Sequence, residues 1–402
     1  MFKLYRYLFP GLIALTLGFR LGAIVLVRPA PVIDETVHLK VAQQFGPGLP
    51  AIAQLRDYPS ATGPLFYVLF GNLGAFFGYN LTVLRLAVFA LALGSLLLFY
   101  RVLKRLLPND NPLPAVALLA TAPYFPALAG VFMTEHLALF LGLAALLCYL
   151  RFRDTGKPLD AVLSLLFATL AIYTRIYFIF LPATFAVADT VASRPSSIAR
   201  PSSSILHPSS SRNAALWLLP ILAFLPIALL WRGFAPPSYQ HIHHPGLNWQ
   251  SADSMCIWTG IFFLPWVWRK PKPWHLLALL AIPIVLLAPL PGLGFTRTAL
   301  KLLPHPLAVI AACSFGVIGL LWFIRLAPLV ATPELQVAAI GALLLVAGLL
   351  VSGPLVYERY LLPVIPLMLI CARPGTRPGL ALVWAGLFQL PVALVHILHL
   401  AA

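Results

Sequence analysis

Residues 7–27 read YLFPGLIALTLGFRLGAIVLV, and the chain then continues Ile33-Asp34-Glu35-Thr36-Val37-His38. The first stretch is long enough to cross a bilayer as a helix, which takes about 20 mostly apolar residues. The second places two carboxylates side by side just beyond that helix. Adjacent carboxylates repel each other and resist dehydration near lipid. Only 11 of the 402 residues are acidic, so a chain this sparing with acids has little structural use for such a pair. The expectation is a membrane enzyme with its catalytic edge outside the first span.

Composition supports the membrane reading. The chain is 61% hydrophobic and 9% charged, with a mean hydropathy of +0.92. Soluble domains carry about 25% charged residues. The net charge of +16 does not indicate nucleic acid, because the basic residues form small clusters between apolar runs rather than one patch. Orientation in the membrane and contact with anionic lipid account for them. Lys3 and Arg6 precede an apolar stretch that is too long for a signal peptide and lacks a small-residue cleavage site, so the first run is expected to stay as a helix. Cys148, Cys256, Cys313 and Cys371 all fall within apolar runs and read as small apolar residues, not disulfides or zinc ligands.

Flanking charges order the remaining runs. Residues 28–80 read as one extracytoplasmic loop between the first run and a second near 82–100, which ends at Arg101, Lys104 and Arg105. The apolar part of that loop, 64–78, is broken by Gly71, Gly74 and Gly78 and reads as an interfacial or re-entrant helix. Further runs are expected near 113–130, 134–150, 159–174, 176–191, 214–231, 255–268, 274–290, 307–324, 334–353, 361–372 and 379–399. The prediction is an all-α polytopic protein of about 13 spans. Its first transmembrane module covers 1–192, its second 214–402, and a cytoplasmic Ser/Pro/Arg linker, 193–213, joins them.

This topology sends most of the unusual polar residues to the extracytoplasmic face. They are Asp34, Glu35, His38, Asp57, Arg85, Glu135, Arg175, the loop Tyr239-Gln240-His241-Ile242-His243-His244, Arg297, Lys301, and Tyr357 through Tyr360. Asp110, Asp154, Asp160 and Asp189 fall on the opposite side and read as solvated. Arginines at helix edges among apolar neighbours need partners. Carboxylates together with arginines suit a phosphate-bearing ligand and a base, since arginine binds phosphate in bidentate fashion and a carboxylate accepts a hydroxyl proton.

Several short motifs carry a family likeness. Asp34-Glu35-x-x-His38 after the first helix resembles the first-loop acidic motif of the GT-C glycosyltransferases, multi-span enzymes that use polyprenyl-phosphate sugars. Tyr58-Pro59-Ser60-Ala61-Thr62-Gly63-Pro64-Leu65-Phe66-Tyr67 is similar to that superfamily's Pro-rich stretch, and Leu84-Arg85-Leu86 follows where its second span opens. Phe132-Met133-Thr134-Glu135-His136 resembles the second acidic motif. Thr174-Arg175-Ile176-Tyr177 resembles the basic hairpin tip, and Glu358-Arg359-Tyr360-Leu361-Leu362-Pro363 the late Arg-Tyr element. The order is most similar to the dolichyl-phosphate-glucose α-1,2-glucosyltransferases, and the layout also resembles the mannosyl- and aminoarabinose-transferases. The chain is shorter than the eukaryotic glucosyltransferase and lacks its large loops.

The resemblance implies an inverting transfer of a sugar to a lipid-linked glycan, lipid or protein acceptor at the outer face of a bacterial inner membrane. It implies Asp34 as base, with Glu35 orienting donor or acceptor. His38, Arg85, Glu135, Arg175, His241, Arg359 and Tyr360 would bind substrate. Some relatives use a divalent metal and others do not, so a metal is left open. The histidines at 241, 243 and 244 lack a zinc-site spacing. One rival is a flippase for lipid-linked sugars; it fits less well, because no internal repeat is visible and the polar residues gather at one face rather than at mid-span. A second rival, a phosphoethanolamine or acyl transferase, needs a metal-ligand set or an intramembrane His with an acidic partner.

Overall fold

The computed structural model describes residues 2–192, 214–242, 249–267, 304–351 and 358–401, and every regular element among them is helical. The first helix, α1 (Phe2–Gly22), continues as a π-helical turn to Val27. The expected outer loop holds α2 (Ile33–Phe45), α3 (Ile52–Arg56) and α4 (Leu65–Phe77). With 13 residues, α4 is about 20 Å long, short of the roughly 30 Å hydrocarbon core, as the interfacial reading requires. Long α5 (Leu81–Leu106) follows; the Asn80 side chain caps it by accepting from the amides of Thr82 and Val83.

The run expected near 113–130 is not one span. It divides into α6 (Leu113–Thr121) and α7 (Tyr124–Leu128), and the chain then stays non-helical through Thr134. Pro123 removes a backbone donor at the break, and residues 129–134 are fully buried. Irregular backbone at membrane depth is tolerated where protein covers it. After this comes α8 (Glu135–Thr155), then α9 (Pro158–Thr174) and α10 (Phe180–Ala192), with a 3₁₀ turn, Ile176–Ile179, between the last two.

The later helices are α11 (Leu219–Trp231), α12 (Trp249–Val267), α13 (His305–Leu329), α14 (Gln336–Val351), α15 (Val364–Ala372), α16 (Pro378–Val383) and α17 (Leu390–Ala401). Six helical segments are long and apolar enough to cross a membrane: Tyr5–Val27, Leu81–Leu106, Glu135–Thr155, Ala214–Trp231, Pro306–Leu329 and Pro378–Leu398. Shorter apolar helices accompany them, and the chain is an integral multi-pass membrane protein. The expected run at 274–290 and the linker 193–213 lie outside the described residues.

The main hydrophobic core runs from Phe9 on α1 to Ala385 near the C-terminus, and a small second cluster, Ile257, Ala308 and Ala312, joins α12 to α13. Both α16 and α17 return to pack on α1, so the last helices close on the first. Two ends of the bundle hold most of the charge. At one end the ion pairs are Arg105–Asp154, Arg151–Asp160 and Arg373–Asp110. These aspartates are therefore paired, not simply solvated. Asp189 is buried too, accepting from the Tyr149 hydroxyl at 2.6 Å and the Trp217 indole at 2.7 Å. The other end carries the candidate site.

Candidate active site

Asp34 and Glu35 occupy the first turn of α2, where the helix dipole favours negative charge. Neighbours in sequence, they face different surroundings. Glu35 is fully buried. Its Oε1 accepts from Arg85 Nε at 2.9 Å and from the Phe132 amide at 2.6 Å. Its Oε2 accepts from Arg85 Nη2 at 2.6 Å and from the Val32 amide at 3.1 Å. A carboxylate offers about four lone-pair sites, and four donors fill them. Arg85 is equally occupied, because Nη1 donates to the Pro29 carbonyl at 2.8 Å and Nη2 to the Ala30 carbonyl at 3.3 Å. Glu35, expected to orient donor or acceptor, is thus filled by protein donors, and Arg85, expected to bind substrate, spends its guanidinium on Glu35 and two backbone carbonyls. Together they tie α2, α5, the turn at 29–30 and the buried 129–134 segment into one unit.

Asp34 is half-exposed and bonded differently. It accepts from Arg359 Nη1 at 2.6 Å, bringing residues 325 positions apart together. Burial pushes the Asp34 carboxyl up, but the hydrogen bond from Arg359 outweighs it and holds the group below its ordinary value. Arg359 also approaches the second acid, with Nε 3.6 Å from Glu135 Oε1. Burial opposes the charge on Arg359, and Glu135 beside it prevails and keeps the guanidinium firmly protonated. Glu135 opens α8 and pairs with Arg175, which sits extended between α9 and the 3₁₀ turn. Asp34, Arg359, Glu135 and Arg175 thus form an alternating chain of charges from the surface inward.

Arg175 is placed by the loop before α4. The Gly63 amide donates to the Thr174 carbonyl at 3.1 Å. A Cβ at 63 would lie 2.0 Å from the Tyr173 carbonyl oxygen, so only glycine permits this approach. Aromatic rings line the inner end. The Arg175 guanidinium carbon lies 5.4 Å from the Tyr360 ring centroid and 5.9 Å from that of Tyr177, and Arg359 lies 5.7 Å from Tyr360. Glu135 Oε2, Arg175 Nε and the Tyr177 hydroxyl are buried without a hydrogen-bond partner, which leaves donors and an acceptor available to a ligand.

His38 lies one turn beyond Asp34 on α2 and is buried. Its Nδ1 is 2.6 Å from the Tyr67 hydroxyl, which donates to Ser60 Oγ at 2.5 Å and accepts from Thr62 Oγ1 at 2.9 Å. Burial, and next the nearby Arg175, lower the His38 pKa to about 4, so the ring is neutral at physiological pH. The Tyr-Pro-Ser stretch thus holds His38 in a hydroxyl network that its sequence did not announce. His241 belongs to the 3₁₀ turn Pro237–Ile242, which is fastened to the first loop through Ser238 on Asp57 and Tyr58. Its side chain, and His243, His244, Arg297 and Lys301, lie outside the described residues. Among the described residues no group of three or more His, Cys, Asp or Glu side chains is arranged to hold a metal ion.

A family model described as dolichyl-phosphate-mannose-protein mannosyltransferase matches residues 61–207, a region with Arg85, Glu135 and Arg175 but not Asp34 or Arg359. Two solved structures are similar in outline: ArnT from Cupriavidus metallidurans in the apo state, and ArnT from the same organism bound to undecaprenyl phosphate. Each is 17% identical over 97% of this chain and 76% of that one, with TM-scores of 0.43 and 0.44 respectively. No curated protein matches the chain.

Proposed function

We propose that the chain is a GT-C glycosyltransferase that moves a sugar from a polyprenyl-phosphate donor to a lipid-linked glycan, lipid or protein acceptor. The observation that carries this reading is the alternating charge chain with one reachable carboxylate, Asp34, at its outer end. The transfer is a single displacement. The acceptor oxygen bonds to the sugar C1 while the C1–phosphate bond breaks. The electron pair leaves on the phosphate, the acceptor proton passes to Asp34, and the configuration at C1 inverts.

The Asp34–Arg359 bond restrains the base in the empty site, because Arg359 keeps the carboxylate a weak proton acceptor. An incoming phosphate competes for the same guanidinium. As Arg359 turns to the phosphate, Asp34 loses its stabilising donor and becomes a stronger base when donor is bound. Arg175 supplies a second guanidinium toward the developing phosphate charge. Glu135 holds the two arginines apart and in place. Glu35 and Arg85 position α2 and do not touch substrate. Tyr360 and Tyr177 give the sugar an apolar face. In this reading the site faces the outside of a bacterial inner membrane, the side to which the flanking basic residues assign it.

The reading is tested in proteoliposomes by offering radiolabelled polyprenyl-phosphate hexoses with extracted membrane lipids as acceptors. Label entering a new lipid or glycan species is the expected result. Label that crosses the bilayer chemically unchanged would replace the transferase with a flippase.

A further inference from the structure

Arg20 lies within the first membrane-crossing helix, Tyr5–Val27, and its side chain is 1% exposed. Its Nε and Nη1 are buried without a hydrogen-bond partner. The guanidinium rests against the backbone of Gly130, in the buried segment that delivers the Phe132 amide to Glu35. A Cβ at 130 would lie 2.2 Å from Arg20 Nε and 2.7 Å from Cζ, so the missing side chain makes the room the guanidinium fills. Arg20 also shares the electrostatic surroundings of Glu35 and Arg85. It forms no ion pair with Glu35, whose oxygens are already taken by Arg85 and the Phe132 and Val32 amides.

A charged side chain at membrane depth is expensive and marks function more often than packing. The bland explanation is a cation near a helix C-terminus, which the helix dipole favours. That accounts for a tolerated charge but not for two buried donors left without acceptors. Among the described residues, the carboxylates in the charge cluster of the site are Asp34, Glu35 and Glu135, each in an ion pair. Their partners are Arg85, Arg175 and Arg359. Among the described side chains of this cluster Arg20 is the guanidinium left over, one positive charge more than its carboxylates.

We propose that Arg20 is a positioning residue that gives the site its net positive charge, so that it selects the anionic polyprenyl monophosphate over the uncharged polyprenol by field rather than by contact. This rests on the transferase reading and names one of its determinants. Low-dielectric surroundings let a charge act beyond hydrogen-bond reach. One unit charge over roughly 10 Å at an effective dielectric of about 20 changes binding about tenfold.

The test measures binding of undecaprenyl phosphate and of undecaprenol to the purified full chain, with sugar transfer followed in parallel. The wild type is expected to prefer the phosphate. Arg20→Met should lower that preference about tenfold while leaving polyprenol binding unchanged, and Arg20→Lys should restore most of it. Gly130→Ala keeps the charge while driving a Cβ into the guanidinium, and should leave most of the preference in place, whereas a loss as large as that of Arg20→Met would overturn selection by field. A wild type without preference overturns the inference, whatever the variants do. So does an Arg20→Met protein whose two affinities fall equally, which is the mark of a purely structural role. If the variants behave as expected but the wild type transfers no sugar, the anion site stands and the transferase reading falls.

Discussion

At one end of the bundle Arg105 meets Asp154 at 2.6 Å, with 30% and 57% of their side chains exposed. At the other end Arg85 meets Glu35, also at 2.6 Å, with 3% and 0% exposed. Distance alone makes the two pairs equal; surroundings make them different. The first pair sits in solvent, where side-chain entropy and screening leave about 0–1 kcal/mol. The second is out of water, so removing one partner strands the other charge at a cost of about 3–5 kcal/mol. The same chemistry fastens loops at one end. At the other it fixes the backbone around Asp34, the one carboxylate of the site that remains reachable.

The contrast is sharpest for Glu35. Glu35→Ala leaves Arg85 buried and unpaired, and should lower stability in detergent by about 3–5 kcal/mol, read as a drop in unfolding midpoint. Glu35→Leu combined with Arg85→Met should recover only part of that loss, because it removes the stranded charge but leaves the Phe132 and Val32 amides and the Pro29 and Ala30 carbonyls without their partners. Next in size is His38. Its folded pKa, about 4, is below the ordinary 6.5, so the folded state resists its proton. Stability should therefore fall as pH drops from about 6.5 and level off near 4, by at most about 3 kcal/mol. A pH titration of unfolding checks this, and His38→Gln should flatten it. At the opposite end, Asp189→Ala strands the Tyr149 hydroxyl and the Trp217 indole, which should cost about 1–3 kcal/mol. The smallest effect is Arg105→Ala, expected within about 1 kcal/mol of wild type. A large loss there, or a negligible one for Glu35→Ala, would erase the distinction between the ends.

Much of this was legible in the chain. The helical membrane class followed from the apolar runs. The residues that meet at the site, Asp34, Glu135, Arg175, Arg359 and Tyr360, stand out by their place at one membrane face and by the motif likeness. Which of them pair was not legible, because the partners lie 50 positions apart for Glu35 and Arg85 and 325 for Asp34 and Arg359. Adjacency suggested that Asp34 and Glu35 act together. The helix turns them apart, one toward four donors and one toward the surface. Run length hid the break between α6 and α7, since hydropathy does not register the backbone donor that Pro123 lacks. Arg20 is hidden by the hydropathy of the first apolar run, although a lone guanidinium inside such a run is itself a signal.

The most direct test of the account is Asp34→Asn in the proteoliposome transfer assay, with unfolding midpoint and donor binding measured on the same preparation. Asparagine keeps the shape and can still accept from Arg359 but takes no proton. The expected result is a loss of transfer of about 10²–10⁴-fold, with the protein folded and donor still bound. Transfer within a few fold of wild type would contradict the assignment of Asp34 as the base and leave the charge chain without its proposed chemistry.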